Sequence, residues 1–231
     1  MSDIRLIKAG QAGFGLLIEQ DSGYISPNDS RNKEFISEVK RLDNGKAIIS
    51  DPLIVYVVLQ KWGVKNRNGR IYPKNILERE VNKYQELIRE KRAIGECDHP
   101  ESSIISVDRV SHNITETWWE GKTLMGKMEI LMSPGFINLG VVSTKGDEVA
   151  NLLRNNIMIG VSSRGIGSLK EVAGDQIVQE DFEIICWDIV TSPSTPGSWM
   201  FNEKLEAKPF VESVEKKNNL LTDNLNKFLL D

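Results

Sequence analysis

The pattern of apolar and polar positions changes period several times along the middle of the chain. A run of seven apolar residues from Leu53 to Leu59, rich in β-branched side chains, predicts a buried strand. Behind Pro73, apolar residues recur at helical spacing over about 74–90 and predict an amphipathic helix. Residues 104–132 predict two strands joined by a turn at 120–122.

The second half of the chain adds shorter elements. A short helix is predicted at Gly146–Arg154, and strands are predicted at 157–163 and 176–190. Gly165 and Gly167 are expected to break the segment between these two strands. The elements together predict a mainly β domain with a few helices, in the α+β class.

The two ends differ from the middle in composition. Residues 1–49 are mixed and rich in glycine and polar residues, which predicts an extension tied loosely to the fold. Residues 50–205 are expected to form one domain. The tail at 206–231 carries only a short amphipathic pattern at 221–229, so it is expected to dock on a partner or to remain mobile.

Composition and charge exclude several classes of function. The 231 residues include 29 basic and 33 acidic side chains, and a net charge of −4 argues against bulk affinity for nucleic acid. Two cysteines and two histidines are too few for a disulfide framework or for a zinc module with paired spacings. Neither a membrane-spanning run nor an export signal is evident. We therefore expect a cytoplasmic chain with no nucleic-acid or membrane partner and no cofactor.

The first candidate for chemistry is a histidine in the segment Gly95-Glu-Cys-Asp-His-Pro100. A histidine between a helix and a strand, followed by a proline that restricts the backbone, is well placed to present an imidazole for proton transfer. The alternative is an exposed loop histidine without a catalytic role.

The second candidate is the serine pair in Gly160-Val-Ser-Ser-Arg-Gly165. Serines near a strand end between glycines allow a hydroxyl to stand clear and a substrate to approach closely. The alternative is a polar strand end with a turn. The spacing G-x-S-x-x-G is not that of a nucleophile elbow, which argues against an α/β-hydrolase.

The third candidate is Asp188, which lies inside an otherwise apolar strand and therefore requires a hydrogen-bond partner. The partner is either a backbone turn or an imidazole. In the second case Asp188 would fix the tautomer of His99, whose other ring nitrogen would deprotonate a serine.

Two further clusters have both a functional and a structural interpretation. Five basic residues between 61 and 77, with no acid among them, form either a solvated loop or a surface that attracts acidic substrates: Lys61, Lys65, Arg67, Arg70 and Lys74. A metal site from Glu96, Cys97, Asp98, His99 and Cys186 has acceptable ligand types. Adjacent residues rarely converge on one ion, so no metal is expected.

Several motifs in chain order resemble a known family: Asn66-Arg-Asn-Gly-Arg-Ile-Tyr-Pro73, Gly95-Glu-x-x-His-Pro100, Trp118-Trp119, Gly160-Val-Ser-Ser-Arg-Gly-x-Gly-Ser168 and Asp188-x-Val-x-x-Pro193. Over roughly residues 50–200 the set is similar to the prohead core protein proteases of T-even-like tailed phages. The resemblance implies a herpesvirus-protease-like fold, an antiparallel β-barrel surrounded by a few helices. It also implies a serine endopeptidase.

The resemblance assigns roles to individual residues. His99 matches the family's catalytic histidine and Ser162 its nucleophile. Asp188 is the expected third member, and His112 is the alternative, because the herpesvirus enzymes use a second histidine. Backbone amides near Ser163, Arg164 and Gly165 are the expected oxyanion donors. The Arg164 guanidinium either helps them or has a structural role.

The resemblance also implies the substrates. The family cleaves scaffold or core proteins and the major capsid protein inside the assembling prohead, in the host cytoplasm, after aliphatic-x-Glu motifs. Leu17-Ile-Glu19 and, less well, Phe210-Val-Glu212 match that motif. We therefore expect a zymogen that removes a propeptide of about residues 1–19 and its tail, leaving roughly residues 20–212. The rival is a non-catalytic scaffold, shell or tube component with the same fold.

Overall fold

The computed structural model describes residues 4–19, 51–155 and 157–200, and the backbone of three two-residue strands between positions 36 and 48. In chain order the strands are β1 Leu6–Ile7, β2 Gly13–Ile18, β3 Ile36–Ser37, β4 Lys40–Arg41, β5 Ala47–Ile48, β6 Leu53–Lys61, β7 Arg70–Ile71, β8 Ile94–Glu96, β9 Val110–Glu120, β10 Thr123–Ile130, β11 Ile159–Val172, β12 Asp175–Val178, β13 Glu183–Val190 and β14 Trp199–Met200. The helices are α1 Lys74–Arg89, α2 Pro134–Leu139 and α3 Lys145–Arg154.

The strands form two main sheets. A seven-stranded mixed sheet has the order β1-β2-β11-β12-β7, and β13 and β14 also pair with β11. A five-stranded sheet has the order β3-β6-β10-β9-β8, and β4 pairs with β5 separately. The mainly β class is therefore confirmed, whereas closure into a barrel stays a prediction. Among the described residues, no helix is long and apolar enough to cross a membrane.

Elements with a strong local pattern form where the sequence predicts them. The apolar run becomes β6, and the helix behind Pro73 becomes α1, which buries its apolar stripe. The turn between β9 and β10 contains Gly121 at φ +59, a conformation that glycine adopts without steric cost. At the start of α3, Thr144 and Asp147 form a capping box that pairs otherwise free backbone donors.

The predicted break at Gly165 and Gly167 is wrong, because β11 runs without interruption for 14 residues. A Cβ atom at Gly165 would lie 2.5 Å from the Phe182 ring, and one at Gly167 would lie 2.8 Å from the Phe182 Cα. The two glycines therefore allow close packing against Phe182 rather than a turn. The single strand predicted at 176–190 is two strands, β12 and β13.

The prediction that the N-terminal extension is tied loosely is wrong for residues 4–19. Strand β2 pairs antiparallel with β11 from Leu17 opposite Gly165 to Phe14 opposite Ser168, and β1 pairs with β2. Leu16 and Leu17 are buried, and Leu17 belongs to the hydrophobic core. The amphipathic pattern at 221–229 and Glu212 lie outside the described residues.

Candidate active site

The centre of the site is the pairing of β11 with β13. Ser162 lies directly opposite Asp188 in this antiparallel pair, and both residues are fully buried. Directly opposite residues of an antiparallel pair point to the same face of the sheet. The sheet therefore brings two of the three predicted catalytic residues together.

The third residue, His99, comes from the loop after β8. That loop is fixed to the end of β13, because the amide of Asp98 donates to the Ile189 carbonyl at 2.8 Å. Asp98 has φ +66, which turns the chain just before the histidine. On the other side, Arg109 donates to the carbonyl of Cys97 at 2.9 Å.

The imidazole of His99 contacts the carboxylate of Asp188. Nδ1 of His99 lies 2.6 Å from Oδ2 of Asp188, and the imidazole is only 1% exposed. The other ring nitrogen, Nε2, is buried and has no hydrogen-bond partner among the described residues. Of the two alternatives for Asp188, an imidazole or a backbone turn, the structure shows the imidazole together with one backbone amide, that of Glu96 at 2.9 Å.

His112, the alternative third member, lies elsewhere. It is buried in β9, where Nε2 bonds the carbonyl of Trp187 at 2.9 Å and Nδ1 bonds the hydroxyl of Ser111 at 2.9 Å. Burial lowers its pKa to about 4, so it is neutral at pH 7. Both of its nitrogens are engaged away from His99, which favours Asp188 as the third member.

A buried arginine supports Asp188. The Arg164 guanidinium bonds Glu96, and its Nε lies 2.9 Å from Oδ2 of Asp188. It also donates to the carbonyl of Ser102 at 2.7 Å in the loop that carries His99. Of the two alternatives for Arg164, these contacts favour the structural role, because the guanidinium faces the acids rather than a substrate carbonyl.

The surroundings of Asp188 determine its charge. Burial by itself would raise the pKa of Asp188, but the bond to His99, the nearby positive charge of Arg164 and the Glu96 amide together lower it below the ordinary value. Cys186 donates to Oδ1 of Asp188 at 3.2 Å, and burial raises the pKa of this thiol well above its usual range. An ionised acid beside a neutral thiol suits the orientation of a histidine.

Ser162 does not contact the imidazole in this structure. Its hydroxyl donates to the main-chain carbonyl of Glu19, and the amide of Ser194 donates to the same oxygen at 2.8 Å. The amide of Glu19 in turn donates to the carbonyl of Ser163 at 3.1 Å, so Glu19 extends the pairing of β2 with β11. The Glu19 carbonyl, which belongs to the predicted scissile bond, is therefore hydrogen-bonded to the predicted nucleophile, Ser162.

Among the described residues, the amides of Ser163, Arg164 and Gly165, which were the expected oxyanion donors, do not donate to this carbonyl. Ser163 is buried next to Ser162 in β11, and Gly165 pairs with Leu17. The observed backbone donor is the amide of Ser194, which sequence reasoning missed. A backbone donor leaves no signature in residue type, and the only available signal was the Thr-Ser-Pro-Ser-Thr-Pro run that follows the aspartate strand.

The sequence indicates only a possible metal-ligand role for Glu96, whereas the structure pairs it with Arg164. The described residues contain no group of three or more His, Cys, Asp and Glu side chains that could hold a metal ion. An open cleft of about 670 Å³ borders the site and is lined in part by Ile18, Arg67, Asn68 and His99.

Comparisons with known proteins identify the family of the chain. The family model of prohead core protein serine proteases matches residues 16–209. The chain is 31% identical over 186 residues to the prohead core protein protease of Enterobacteria phage T4, covering 78% of this chain and 84% of that relative. It also resembles the solved structure of the bacteriophage T4 capsid assembly protease, with a TM-score of 0.59 and 30% identity over 76% of this chain and 96% of the other. The chain therefore belongs to the family of prohead core protein serine proteases.

Proposed function

We propose that this chain is a serine endopeptidase of capsid maturation, in which Ser162 is the nucleophile, His99 the general base and Asp188 the acid that orients the base. The observation that carries the proposal is the Glu19 carbonyl, which accepts hydrogen bonds from the Ser162 hydroxyl and the Ser194 amide. The hydrogen bond between His99 and Asp188 supports the same assignment, because it uses Nδ1 and leaves Nε2 of the imidazole without a hydrogen-bond partner among the described residues.

The proposed reaction begins when Ser162 Oγ attacks the carbonyl carbon of Glu19 and passes its proton to Nε2 of His99. The Ser194 amide donates to the oxyanion that forms on the carbonyl oxygen. The bond to Gln20 then breaks, and the His99 imidazolium gives its proton to the leaving amine. A water molecule hydrolyses the resulting ester by the same base, which frees the Glu19 carboxylate and restores the Ser162 hydroxyl.

The burial of the segment supports cleavage after an aliphatic-x-Glu motif. Leu17 and Glu19 are both fully buried, whereas Ile18 is partly exposed at the rim of the open cleft. Alternate residues of a strand face the same side, so the first and third positions of the motif are enclosed and the middle one is not. Self-cleavage after Glu19, and after Glu212 in the tail, would leave roughly residues 20–212.

The substrates follow from the proteins that this chain resembles. Relatives named for the prohead core and for capsid assembly support scaffold or core proteins and the major capsid protein as the proteins that are cut. The site of action is then the interior of the assembling prohead in the host cytoplasm. The rival function, a scaffold, shell or tube component without activity, shares the fold but requires no free imidazole beside a serine.

A time course of intact mass separates the two functions. Wild-type chain is expected to lose its first 19 residues, whereas Ser162→Ala stays intact because the attacking oxygen is gone. Ser168→Ala is the matched control: Ser168 lies farther along β11 and bonds Asp181, so this variant should be cut like wild type. Equal trimming of Ser162→Ala, or no trimming of wild type, would contradict the proposal.

A further inference from the structure

The side chain of Glu19 lies in an enclosed polar pocket that the catalytic residues do not account for. Both carboxylate oxygens are bonded. Oε1 accepts from Arg70 Nη1 at 3.0 Å and from the Tyr72 hydroxyl. Oε2 accepts from Asn66 at 2.5 Å, from Asn68 at 2.9 Å and from the Ser194 hydroxyl at 3.0 Å.

The loop at 66–70 builds most of this pocket. Oδ1 of Asn66 accepts from the amides of Asn68 and Arg70 at 3.0 and 2.9 Å, and Gly69 has φ +77 at the turn. With Oδ1 engaged in the loop, only the amide group of Asn66 is directed at Glu19. The turn therefore fixes three donors around one carboxylate.

Charge makes the pocket selective. Arg70 is 1% exposed, and burial would lower the pKa of its guanidinium, but the neighbouring Glu19 and Tyr72 raise it. Burial also raises the pKa of Tyr72 well above its usual range, so this hydroxyl stays a donor. A pocket of five donors and one positive charge suits an acceptor-only carboxylate.

The same residues also hold the main chain of the segment. Arg70 Nη1 donates to the Ile18 carbonyl at 2.9 Å, and Asn68 donates to it at 3.3 Å. Ser194 donates its amide to the Glu19 carbonyl and its hydroxyl to the Glu19 side chain. The pocket therefore holds the carbonyl of Glu19 and the side chain of Glu19 in fixed positions at the same time.

We propose that Asn66, Asn68, Arg70, Tyr72 and Ser194 form the specificity pocket for a glutamate side chain immediately before the scissile bond. The assignment rests on the proposed function and adds the residues that select the substrate. A glutamine in this pocket would turn an NH₂ group toward donors, and an aspartate is one methylene too short to reach them. Sites built to hydrogen-bond one substrate group reject an analogue that lacks it by up to roughly 10⁴- to 10⁵-fold.

The test uses the full chain and the rate at which its first 19 residues are lost. Four proteins are compared: wild type, Glu19→Gln, Asn66→Asp and the double variant. Asn66→Asp keeps the oxygen that accepts from the loop amides but replaces the donor that faces Glu19 with a second oxygen. We expect wild type to be cut about 100-fold faster than Glu19→Gln, and Asn66→Asp to remove most of this preference for glutamate over glutamine.

Lys65→Gln is the matched control. It removes a positive charge from the same basic loop, but Lys65 Nζ bonds Asp175 at 2.5 Å and does not contact Glu19. Its preference for glutamate over glutamine before the scissile bond should equal that of wild type. Thermal unfolding of every variant checks that it is folded. Arg70→Gln is a second variant and should lose the same preference.

The outcomes separate the pocket from the reaction. If Asn66→Asp folds and slows cutting equally in the Glu19 and the Glu19→Gln chains, the preference for glutamate is unchanged. That result overturns the pocket and leaves a Ser162-dependent protease intact. Equal rates for wild type and Glu19→Gln do the same. If neither of these two chains is cut, the proposed function and the pocket are overturned together.

Discussion

Two buried carboxylates flank the predicted nucleophile, and the comparison between them explains the site. Asp188 lies on β13 and Glu19 at the end of β2, the strands that pair with opposite edges of β11. Each carboxylate contacts a buried arginine, Arg164 or Arg70. The electrostatic arrangement is nearly the same, but the two carboxylates have different neighbours.

The difference lies in what each carboxylate positions. Asp188 holds an imidazole whose free nitrogen suits proton transfer, and a second acid, Glu96, shares its arginine. Among the described residues, Arg70 contacts no acid other than Glu19. The main-chain carbonyl of Glu19 accepts a hydrogen bond from Ser162. In the proposed function, Asp188 belongs to the catalytic machinery, whereas Glu19 occupies the position of substrate.

The largest expected effect is the loss of turnover when Asp188 is replaced. Asp188→Asn keeps the shape of the side chain but no longer stabilises a positive imidazole or fixes its tautomer. We expect turnover to fall by about 10⁴-fold, with little change in how tightly substrate binds. The measurement is the kcat and KM for a peptide that contains Leu-Ile-Glu, cut by wild-type and variant chains produced from residue 20 onward. Near-normal turnover would force a different third member.

A smaller expected effect is the pH dependence of stability that His112 causes. The pKa of His112 is lowered by burial from 6.5 to about 4, so the unfolded chain binds a proton between these pH values and the folded chain does not. Stability is therefore full above pH 6.5 and is lost as the pH falls toward 4, by about 3 kcal/mol.

His112→Gln removes this titration and keeps a donor for the Trp187 carbonyl. Denaturant unfolding at several pH values should show a flatter dependence between pH 6.5 and 4 in the variant, with cleavage retained at neutral pH. A variant with the wild-type slope would show that another group is responsible. A variant that folds but does not cleave would return His112 to the catalytic set.

Local patterns in the sequence were sufficient for much of the fold. The apolar run of β6, the helical stripe of α1 and the turn between β9 and β10 depend on neighbouring residues, so their periodicity predicts them. The place of β2 depends on pairing with a strand about 150 positions later in the chain, and no local period encodes such a contact. Gly165 and Gly167 were misread for the same reason, because Phe182 comes from another segment.

The candidate site divides in the same way. His99, Ser162 and Asp188 were found because each has a residue type that suits its chemistry and because the ordered motifs resemble a family. Arg70 was one of five similar cations in a basic loop, and its selection depends on burial against Glu19. The Ser194 amide has no residue-type signal at all. Residues that act through long-range burial or through their backbone therefore emerge only from the structure.

The most direct test of this comparison is covalent labelling of self-trimmed enzyme with a Leu-Ile-Glu diphenyl phosphonate, followed by peptide mass mapping. The phosphorus centre reacts with an activated serine, and the glutamate side chain should direct it into the Arg70 pocket. We expect one adduct, on Ser162, formed at least about 100-fold faster than with the glutamine analogue. An adduct on another residue, or equal rates for the two reagents, would contradict it.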